Sequence, residues 1–167
     1  MANTKIEQKI VPCIWYDNQA EEAVNFYVSI FKNSRVETVT RYGKSGSQES
    51  GQPESSIMTI TFFLDGQKFI ALNGGPVFKL SEAMSLMIYC KDQAEIDYFY
   101  DKLADGGQIQ PCGWLKDKFG LSWQLVTPLM DEVFNDKDTK KQERVMAAII
   151  KMTRIDLKTL EDAYEGK

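Results

Sequence analysis

The sequence predicts an α+β protein that consists of two βαβββ units in tandem and a helical extension at the C-terminus. Three observations support this fold class. A strand-like segment that leads into a helical pattern occurs twice, at residues 10–27 and 84–100. Each helical pattern is followed by three short strand-like segments. From about residue 131 onward, apolar residues recur at helical spacing.

The first unit opens with the apolar run IVPCIWY, which is typical of a buried strand. Asn18 is the predicted cap of the helix that follows, and Glu21 stands at the spacing of a capping-box residue. Strands are predicted in SRVETVTRYG, SIMTITFFL and QKFIALN, with a hairpin turn at Asp65-Gly66. The segment GKSGSQESGQPESS lacks apolar periodicity, so we expect a mobile loop there. The predicted buried face of the helix consists of Ala20, Ala23, Val24, Tyr27, Ile30 and Phe31.

The second unit repeats this order of elements. Asp92 is its predicted helix cap, and Glu95 is the capping-box partner. The helix is expected to end at Gly106-Gly107, and strands follow in QIQPCGWLK and in LSWQLVTP, which is entered through Phe119-Gly120. The predicted buried face of this helix consists of Ile96, Phe99, Tyr100 and Leu103.

In each unit the helix covers one face of a curved mixed sheet, and pairing the two units would enclose a cleft between the sheets. We therefore expect one domain over residues 1–137, with its repeats at about 9–75 and 83–128. Residues 138–167 form the predicted helical extension.

The extension carries an apolar stripe at Val145, Ile149 and Met152, with Met146 and Ile150 beside it. Asp156 resembles the cap of a last short helix. Two interpretations of the stripe stay open: a helical hairpin packed on the outside of the sheets, or part of a dimer interface. A homodimer is expected in either case.

The composition excludes several classes of function. A net charge of -4 argues against a protein that grips nucleic-acid phosphates or anionic lipid. The absence of histidine excludes Ser-His and Cys-His catalytic pairs and every metal site that needs imidazole. Cys13, Cys90 and Cys112 show no C-x-x-C spacing and are expected to be small buried residues in a reducing, cytoplasmic compartment. No secretory signal and no membrane partner are expected.

Three segments carry a resemblance to known proteins: DNQAEEAVNFYVSIF after the first strand, FFLDGQKFIALNGGP at the first hairpin, and WLKDKFGLSWQLVTP in the second unit. They resemble the vicinal oxygen chelate superfamily, which includes glyoxalase I, extradiol dioxygenases and fosfomycin-resistance proteins. Within it, residues 9–134 are similar to the PhnB-like family, long labelled as a 3-demethylubiquinone-9 3-methyltransferase domain. The tail RVMAAIIKMTRIDLKTLEDAY resembles an extension seen in many relatives. The resemblance implies the glyoxalase/bleomycin resistance/dioxygenase-like fold.

The resemblance also implies where a metal ion would be bound. In metal-using relatives, four side chains from the first and last strands of the two units point into the cleft. In this sequence those places fall at Ile10 or Pro12, Ser85, Ile70 or Asn73, and Gln124. None of them is a histidine or a carboxylate, which divalent ions prefer, so we expect no metal and no cofactor. The first strand is followed by no glycine-rich turn, so the methyltransferase label has no S-adenosylmethionine-binding motif behind it.

The same places supply the candidate ligand-binding residues. Gln124, Ser85 and Asn73 are expected to exchange hydrogen bonds with a ligand, and Trp114 to form part of an aromatic wall. The alternatives are structural: an amide of Gln124 satisfied by backbone, an Asn73 that shapes the Gly74-Gly75 turn, and tryptophans in the core. No catalytic residue is identified.

These observations predict a PhnB-like protein that binds a small organic molecule in the cleft without a metal. One alternative is a divalent-metal-dependent enzyme of the glyoxalase or dioxygenase type, with the ion held by groups such as Glu82 or Asp65. Two others are the labelled methyltransferase and an interaction module in which the dimer matters and the cleft does not.

Overall fold

The structure is a computed structural model that describes residues 8–167. The chain divides into two compact units, the first ending at Lys79 and the second beginning at Leu80. Each unit contains a mixed four-stranded sheet. The predicted α+β architecture of two βαβββ units is confirmed, and helices follow the second unit as expected.

The first unit has a sheet with strand order β1-β4-β3-β2. The β1–β4 pair is parallel, and the β4–β3 and β3–β2 pairs are antiparallel. The hairpin between β3 and β4 turns at Asp65-Gly66, where both residues have positive φ, as the sequence predicts. The elements are β1 (Cys13–Tyr16), α1 (Ala20–Ile30), β2 (Arg35–Arg41), α2 (Lys44–Ser50), β3 (Ile57–Leu64) and β4 (Gln67–Asn73).

Helix α1 covers one face of this sheet and forms the core of the first unit. Side chains alternate along a strand, so Ile60, Phe62 and Leu64 of β3 point to the same face, and all three are buried. Burying each large apolar side chain contributes about 1.5–3 kcal/mol relative to leaving it in water. The helix residues buried here are Ala20, Ala23, Val24, Tyr27 and Ile30, all from the predicted face.

Two predictions about the first unit are wrong. The residue that precedes α1 is Gln19, and no side chain near it in sequence caps the helix, so Asn18 is not the cap. Instead, Asn73 at the end of β4 accepts a hydrogen bond of 2.9 Å from the amide of Ala20. A side chain distant in sequence therefore does what the local pattern assigned to Asn18.

The segment predicted as a loop contains α2. This helix buries none of its residues, so no apolar stripe in the sequence could reveal it. It is held by backbone bonds such as Ser47 N to Gly43 O, 2.9 Å, and it ends at Gly51 in the left-handed conformation.

The second unit has a sheet with strand order β5-β8-β7-β6, in which β5 and β8 are parallel. This is the same arrangement as in the first unit, because the first and last strands of each unit lie side by side. The elements are β5 (Ser85–Tyr89), α3 (Gln93–Leu103), β6 (Gln108–Ile109), β7 (Trp114–Lys116) and β8 (Ser122–Val126).

Helix α3 has the local cap that the sequence predicts. Asp92 accepts a hydrogen bond of 2.9 Å from the amide of Glu95, and the Glu95 carboxylate accepts one of 2.9 Å from the amide of Lys91. Glu95 thus reaches the residue before the cap, one position earlier than a capping box requires. Ile96, Tyr100 and Leu103 are buried, whereas Phe99 is half-buried.

Three helices complete the chain: α4 (Pro128–Asn135), α5 (Thr139–Ile149) and α6 (Leu157–Glu165). Asp156 caps α6 as predicted, since its side chain accepts a bond of 2.7 Å from the amide of Thr159. Of the predicted stripe, Val145 and Ile149 are buried and Met152 is half-buried, while Met146 and Ile150 beside it are 43% and 60% exposed. The domain boundary at residue 137 and the homodimer stay predictions.

The segment between α5 and α6 packs onto the second unit. The amide of Cys112 donates to the carbonyl of Met152 at 2.8 Å, and that of Gly113 donates to Thr153 at 2.9 Å. Gln93 of α3 donates to the carbonyl of Ile155 at 3.0 Å. Ile155 itself is fully buried. Among the helices of residues 8–167, none combines the length and the apolar composition that a bilayer crossing requires.

Candidate functional site

The predicted site residues of the second unit lie on one side of its sheet. Leu115, Trp123 and Leu125 are buried on the side that α3 covers. Because side chains alternate along a strand, their neighbours point to the opposite side. We call that side the helix-free face and define it by Ser85, Met87, Trp114, Lys116, Ser122 and Gln124.

Gln124 and Ser85 are hydrogen-bonded to each other on the helix-free face. The Nε2 atom of Gln124 donates to the Oγ atom of Ser85 over 2.7 Å. The two residues come from the adjacent parallel strands β8 and β5, the last and the first strand of the second unit. The bond leaves the Ser85 hydroxyl hydrogen, the second N–H of Gln124 and the Gln124 carbonyl oxygen available, that is, two donors and one acceptor.

Trp114 lies directly beside Gln124, since the two residues are paired in register between β7 and β8. Its side chain is half-buried. Within the part of the chain that the structure describes, the indole N–H has no hydrogen-bond partner. The structure therefore brings three of the four predicted ligand-binding residues onto neighbouring positions of one face.

An ion pair lies at the edge of the helix-free face. Lys116 of β7 contacts Glu82, which belongs to the turn before β5, and the two side chains are 22% and 47% exposed. Gln110 donates a second, longer bond of 3.4 Å to the same carboxylate. The hydrogen bond from the Lys116 ammonium is the main reason why the pKa of Glu82 lies below its ordinary value.

Ser122 is the least satisfied polar residue of the helix-free face. It is fully buried, and its hydroxyl has no hydrogen-bond partner among residues 8–167. It pairs in register with Ser85 on one side and with Lys116 on the other. A buried hydroxyl without a partner costs about 1–3 kcal/mol, so this position calls for an explanation.

Asn73 belongs to the first unit and is almost fully buried, with 6% of its surface exposed. Its amide accepts from Ala20 and donates to the carbonyl of Ile57 over 3.1 Å. Its own carbonyl accepts a bond of 2.5 Å from the hydroxyl of Tyr42. These bonds join β4 to α1 and β3, and a contact between Asn73 and a ligand stays a prediction.

Asp117 is a residue that sequence reasoning missed. This buried carboxylate accepts bonds from the amides of Phe119 and Leu121, at 2.9 and 3.1 Å, and from the indole of Trp123, at 2.8 Å. It fixes the turn between β7 and β8 and holds Trp123 on the α3 side, which directs Gln124 to the helix-free face. The signal was available in the order Asp-Lys-Phe-Gly, because an Asp before a turn often accepts from amides two or more residues later.

The cysteines differ in their surroundings. Cys90 is buried, and its pKa is raised to about 12, mainly because burial disfavours the thiolate. Cys13 is exposed and Cys112 is half-buried, so the expectation of three buried cysteines is wrong for these two. Cys13 is the first residue of β1. Cys112 lies in the loop before β7 and has a positive φ of 63°.

The donor set of the site does not fit a metal ion. Among residues 8–167, no three His, Cys, Asp or Glu side chains lie close enough together to hold one. The residues at the predicted ligand places of the second unit, Ser85 and Gln124, are neutral and are bonded to each other. Hard cations need several oxygen ligands, preferably charged, so these groups would bind them weakly.

Comparison with known proteins agrees with the fold described above. A family model described as 3-demethylubiquinone-9 3-methyltransferase matches residues 8–126. A PhnB protein from Bacillus cereus, which carries the same methyltransferase description, is 36% identical, with 72% of this chain and 99% of that chain covered and a TM-score of 0.64. None of the curated proteins compared with the chain matches it.

Two further solved structures show the fold alone. A protein from Pseudomonas aeruginosa is 20% identical, with 72% of this chain and 98% of that chain covered and a TM-score of 0.59. The fosfomycin resistance protein FosX from Mesorhizobium loti is 14% identical, with 79% of this chain and all of that chain covered and a TM-score of 0.55. The likeness to FosX confirms the predicted glyoxalase-like fold class.

Proposed function

Since the chain belongs to the PhnB-like family described as 3-demethylubiquinone-9 3-methyltransferase, we propose that it binds a small organic molecule without a metal ion. The molecule lies on the helix-free face of the second sheet and contacts Gln124, Ser85 and Trp114. The observation that carries this proposal is the hydrogen-bonded Ser85–Gln124 pair next to an indole whose N–H has no partner within residues 8–167.

The polar pair selects a ligand with both an acceptor and a donor. The Ser85 hydroxyl can donate to a ligand oxygen while the Gln124 carbonyl accepts from a ligand N–H or O–H. Holding both groups in one bonded pair fixes their spacing before the ligand arrives, which lowers the entropic cost of binding. Amides, phenols and hydroxyketones present such neighbouring groups.

The apolar part of the ligand rests on Trp114 and Met87. These side chains flank Gln124 in register on the two adjacent strands, and Met87 is 50% exposed. An indole face offers a flat apolar surface that favours planar rings, and a methionine adapts its shape to what it touches. The combination favours an aromatic or quinone-like compound.

Calorimetric titration with 2-naphthamide, as a representative of a panel of aromatic amides, phenols and quinones, tests this proposal. We expect saturable binding to the full chain. Gln124→Ala should weaken it by about tenfold, the usual cost of a lost hydrogen bond in a partly buried site. Gln67→Ala changes an exposed glutamine of β4 and serves as the matched control.

Two results would contradict the proposal. One is the absence of saturable binding by every compound in the panel. The other is binding that Gln124→Ala, Ser85→Ala and Trp114→Ala all leave unchanged while each variant keeps the circular dichroism spectrum of the natural chain.

The family description itself names a second candidate, a methyltransferase. Strand β1 runs directly into Asp17-Asn18-Gln19 without the glycine that usually lets backbone approach a nucleotide-like cofactor. Titration with S-adenosylmethionine separates the candidates: heat of binding with one-to-one stoichiometry would favour the methyltransferase over the proposal made here.

A further inference from the structure

We propose that the ligand of this site is a small planar organic acid, whose carboxylate takes the place of Glu82 on Lys116 while its ring lies on Trp114. This inference rests on the proposed function and narrows its substrate class. It assigns Glu82 the role of an internal placeholder for the acid group of the ligand.

The spacing of the helix-free face suits such a molecule. Trp114 and Lys116 are two residues apart on β7, so their side chains leave the sheet on the same side, about 7 Å apart. Ser122 stands beside Lys116, and Gln124 stands beside Trp114. Lys116 and Ser122 therefore offer an ammonium and a hydroxyl side by side, and Trp114 offers an aromatic ring two residues along β7. This arrangement matches an acid with one or two rings.

Lys116 provides a mostly buried ammonium group that can bind the carboxylate of a ligand. Its side chain is only 22% exposed, and within the described residues Glu82 is the one carboxylate that lies within ion-pair distance of it. Glu82 comes from a turn, is 47% exposed, and can return to water at little cost. Exchanging one carboxylate for another keeps the half-buried ammonium paired throughout.

Ser122 gives independent support. Its hydroxyl is fully buried without a partner, and in register it lies between Ser85 and Lys116. A carboxylate seated on Lys116 brings a second oxygen that accepts the Ser122 O–H, which a neutral ring substituent does less well. The binding of an acid thus satisfies a polar atom that the free protein leaves unpaired.

The test compares 2-naphthoate with 2-naphthamide, which share a ring system and differ in charge. We expect the natural chain to bind the acid more tightly than the amide. Glu82→Gln removes the competing carboxylate and should tighten naphthoate binding by about tenfold, while naphthamide binding stays within about twofold. Lys116→Met should abolish the preference for the acid, whereas Lys118→Met, at a neighbouring exposed lysine, should keep it.

A second variant keeps the test informative if Lys116→Met folds poorly. Ser122→Ala should weaken naphthoate binding severalfold without lowering the melting temperature, because the hydroxyl it removes has no partner within the described residues. A merely structural Glu82–Lys116 pair would give the opposite result for Glu82→Gln: lower stability and no gain in affinity.

The outcomes distinguish this inference from the function on which it rests. If naphthamide binds through Gln124 but naphthoate is not preferred, or if Glu82→Gln fails to tighten naphthoate binding, the acid is the wrong ligand class and the binding site stands. If neither compound binds to the natural chain or to Glu82→Gln, this inference is wrong, and the proposed function is wrong as well if no other compound of the aromatic panel binds.

Discussion

The carboxylate of Asp117 and the indole of Trp123 form a buried hydrogen bond of 2.8 Å. Asp117 is 3% exposed, and its other oxygen accepts from the amides of Phe119 and Leu121. One side chain thus satisfies three donors and sets the direction of β8. Because Gln124 follows Trp123 on β8, its orientation depends on this carboxylate.

Replacing Asp117 by Asn tests that dependence. The amide can keep one acceptor oxygen, but it turns an N–H group toward donors that need an acceptor. We expect the free energy of unfolding to fall by roughly 2–4 kcal/mol. Urea unfolding followed by circular dichroism measures it. Trp123→Phe removes a single donor and should cost less than Asp117→Asn; an equal or larger loss for Trp123→Phe would contradict the role assigned to the carboxylate.

Asn73 and Asn18 give a matched pair for the capping of α1. Asn73→Ala leaves the buried amide of Ala20 without its acceptor, and we expect a loss of about 1–3 kcal/mol in the free energy of unfolding. Asn18→Ala should change it by less than about 0.5 kcal/mol, because Asn18 is exposed and does not cap the helix. Similar losses for the two variants in chemical denaturation would show that the helix start is assigned wrongly.

Gly113 holds the C-terminal segment close to β8. It has a φ of +79°, and a Cβ atom there would lie 2.8 Å from the Leu125 carbonyl oxygen and from Ile155. Gly113→Ala should therefore lower the free energy of unfolding by roughly 2–4 kcal/mol. Gly51 has a similar φ of +72° but open space around it, so Gly51→Ala should cost only about 1 kcal/mol. Equal melting temperatures for Gly113→Ala and Gly51→Ala would contradict this prediction.

Asp136 links α4, α5 and α6 and predicts a pH dependence. Its pKa is lowered from 3.8 to about 2, first by the backbone amide of Asp138 and then by the hydroxyl of Tyr164 and the ammonium of Lys141. A lowered pKa means that the folded state favours the ionised form, so this stabilisation is present above 3.8 and is lost as the pH falls towards 2.

The Asp136→Asn variant should accordingly melt below the natural chain at neutral pH, and the difference should narrow as the solution is acidified through that interval. Differential scanning calorimetry at several pH values measures it, with Asp105→Asn, at an exposed turn residue, as the control. A difference in melting temperature that stays constant across the acid range would contradict the assignment.

Removal of metal ions should leave the protein unchanged. Since the helix-free face offers neutral donors and a lysine already paired with Glu82, treatment with EDTA is expected to alter neither the melting temperature nor the binding of 2-naphthamide. A loss of binding that Mn²⁺ or Zn²⁺ restores would instead support a metal-dependent enzyme.

Much of the fold could be predicted because it depends on local signals. The Asp92 cap, the Asp65-Gly66 turn and the buried faces of α1 and α3 follow from residues close together in sequence. The true cap of α1 and the helix α2 could not be predicted from such local signals, for two different reasons. The first is a side chain from a distant strand, and the second is a helix without a buried face.

The candidate site was predicted in part. Gln124 and Ser85 are candidates because of the ligand places that the family resemblance implies, and Trp114 is a candidate for an aromatic wall; the strand register brings the three together. The Lys116–Glu82 pair and the unpartnered Ser122 hydroxyl could not be found in the same way. Which groups contact each other, and which buried groups lack a partner, depends on three-dimensional packing.

The contrast between the two helix starts has a kinetic consequence. Helix α3 acquires its cap from a residue three positions away, so it can form as soon as that stretch of chain does. The start of helix α1 is bonded to Asn73, 53 residues later in the sequence, so this contact forms only after β4 has joined the sheet. Although the two halves share one architecture, they should assemble by different routes, with an early nucleus in the second half and late consolidation in the first.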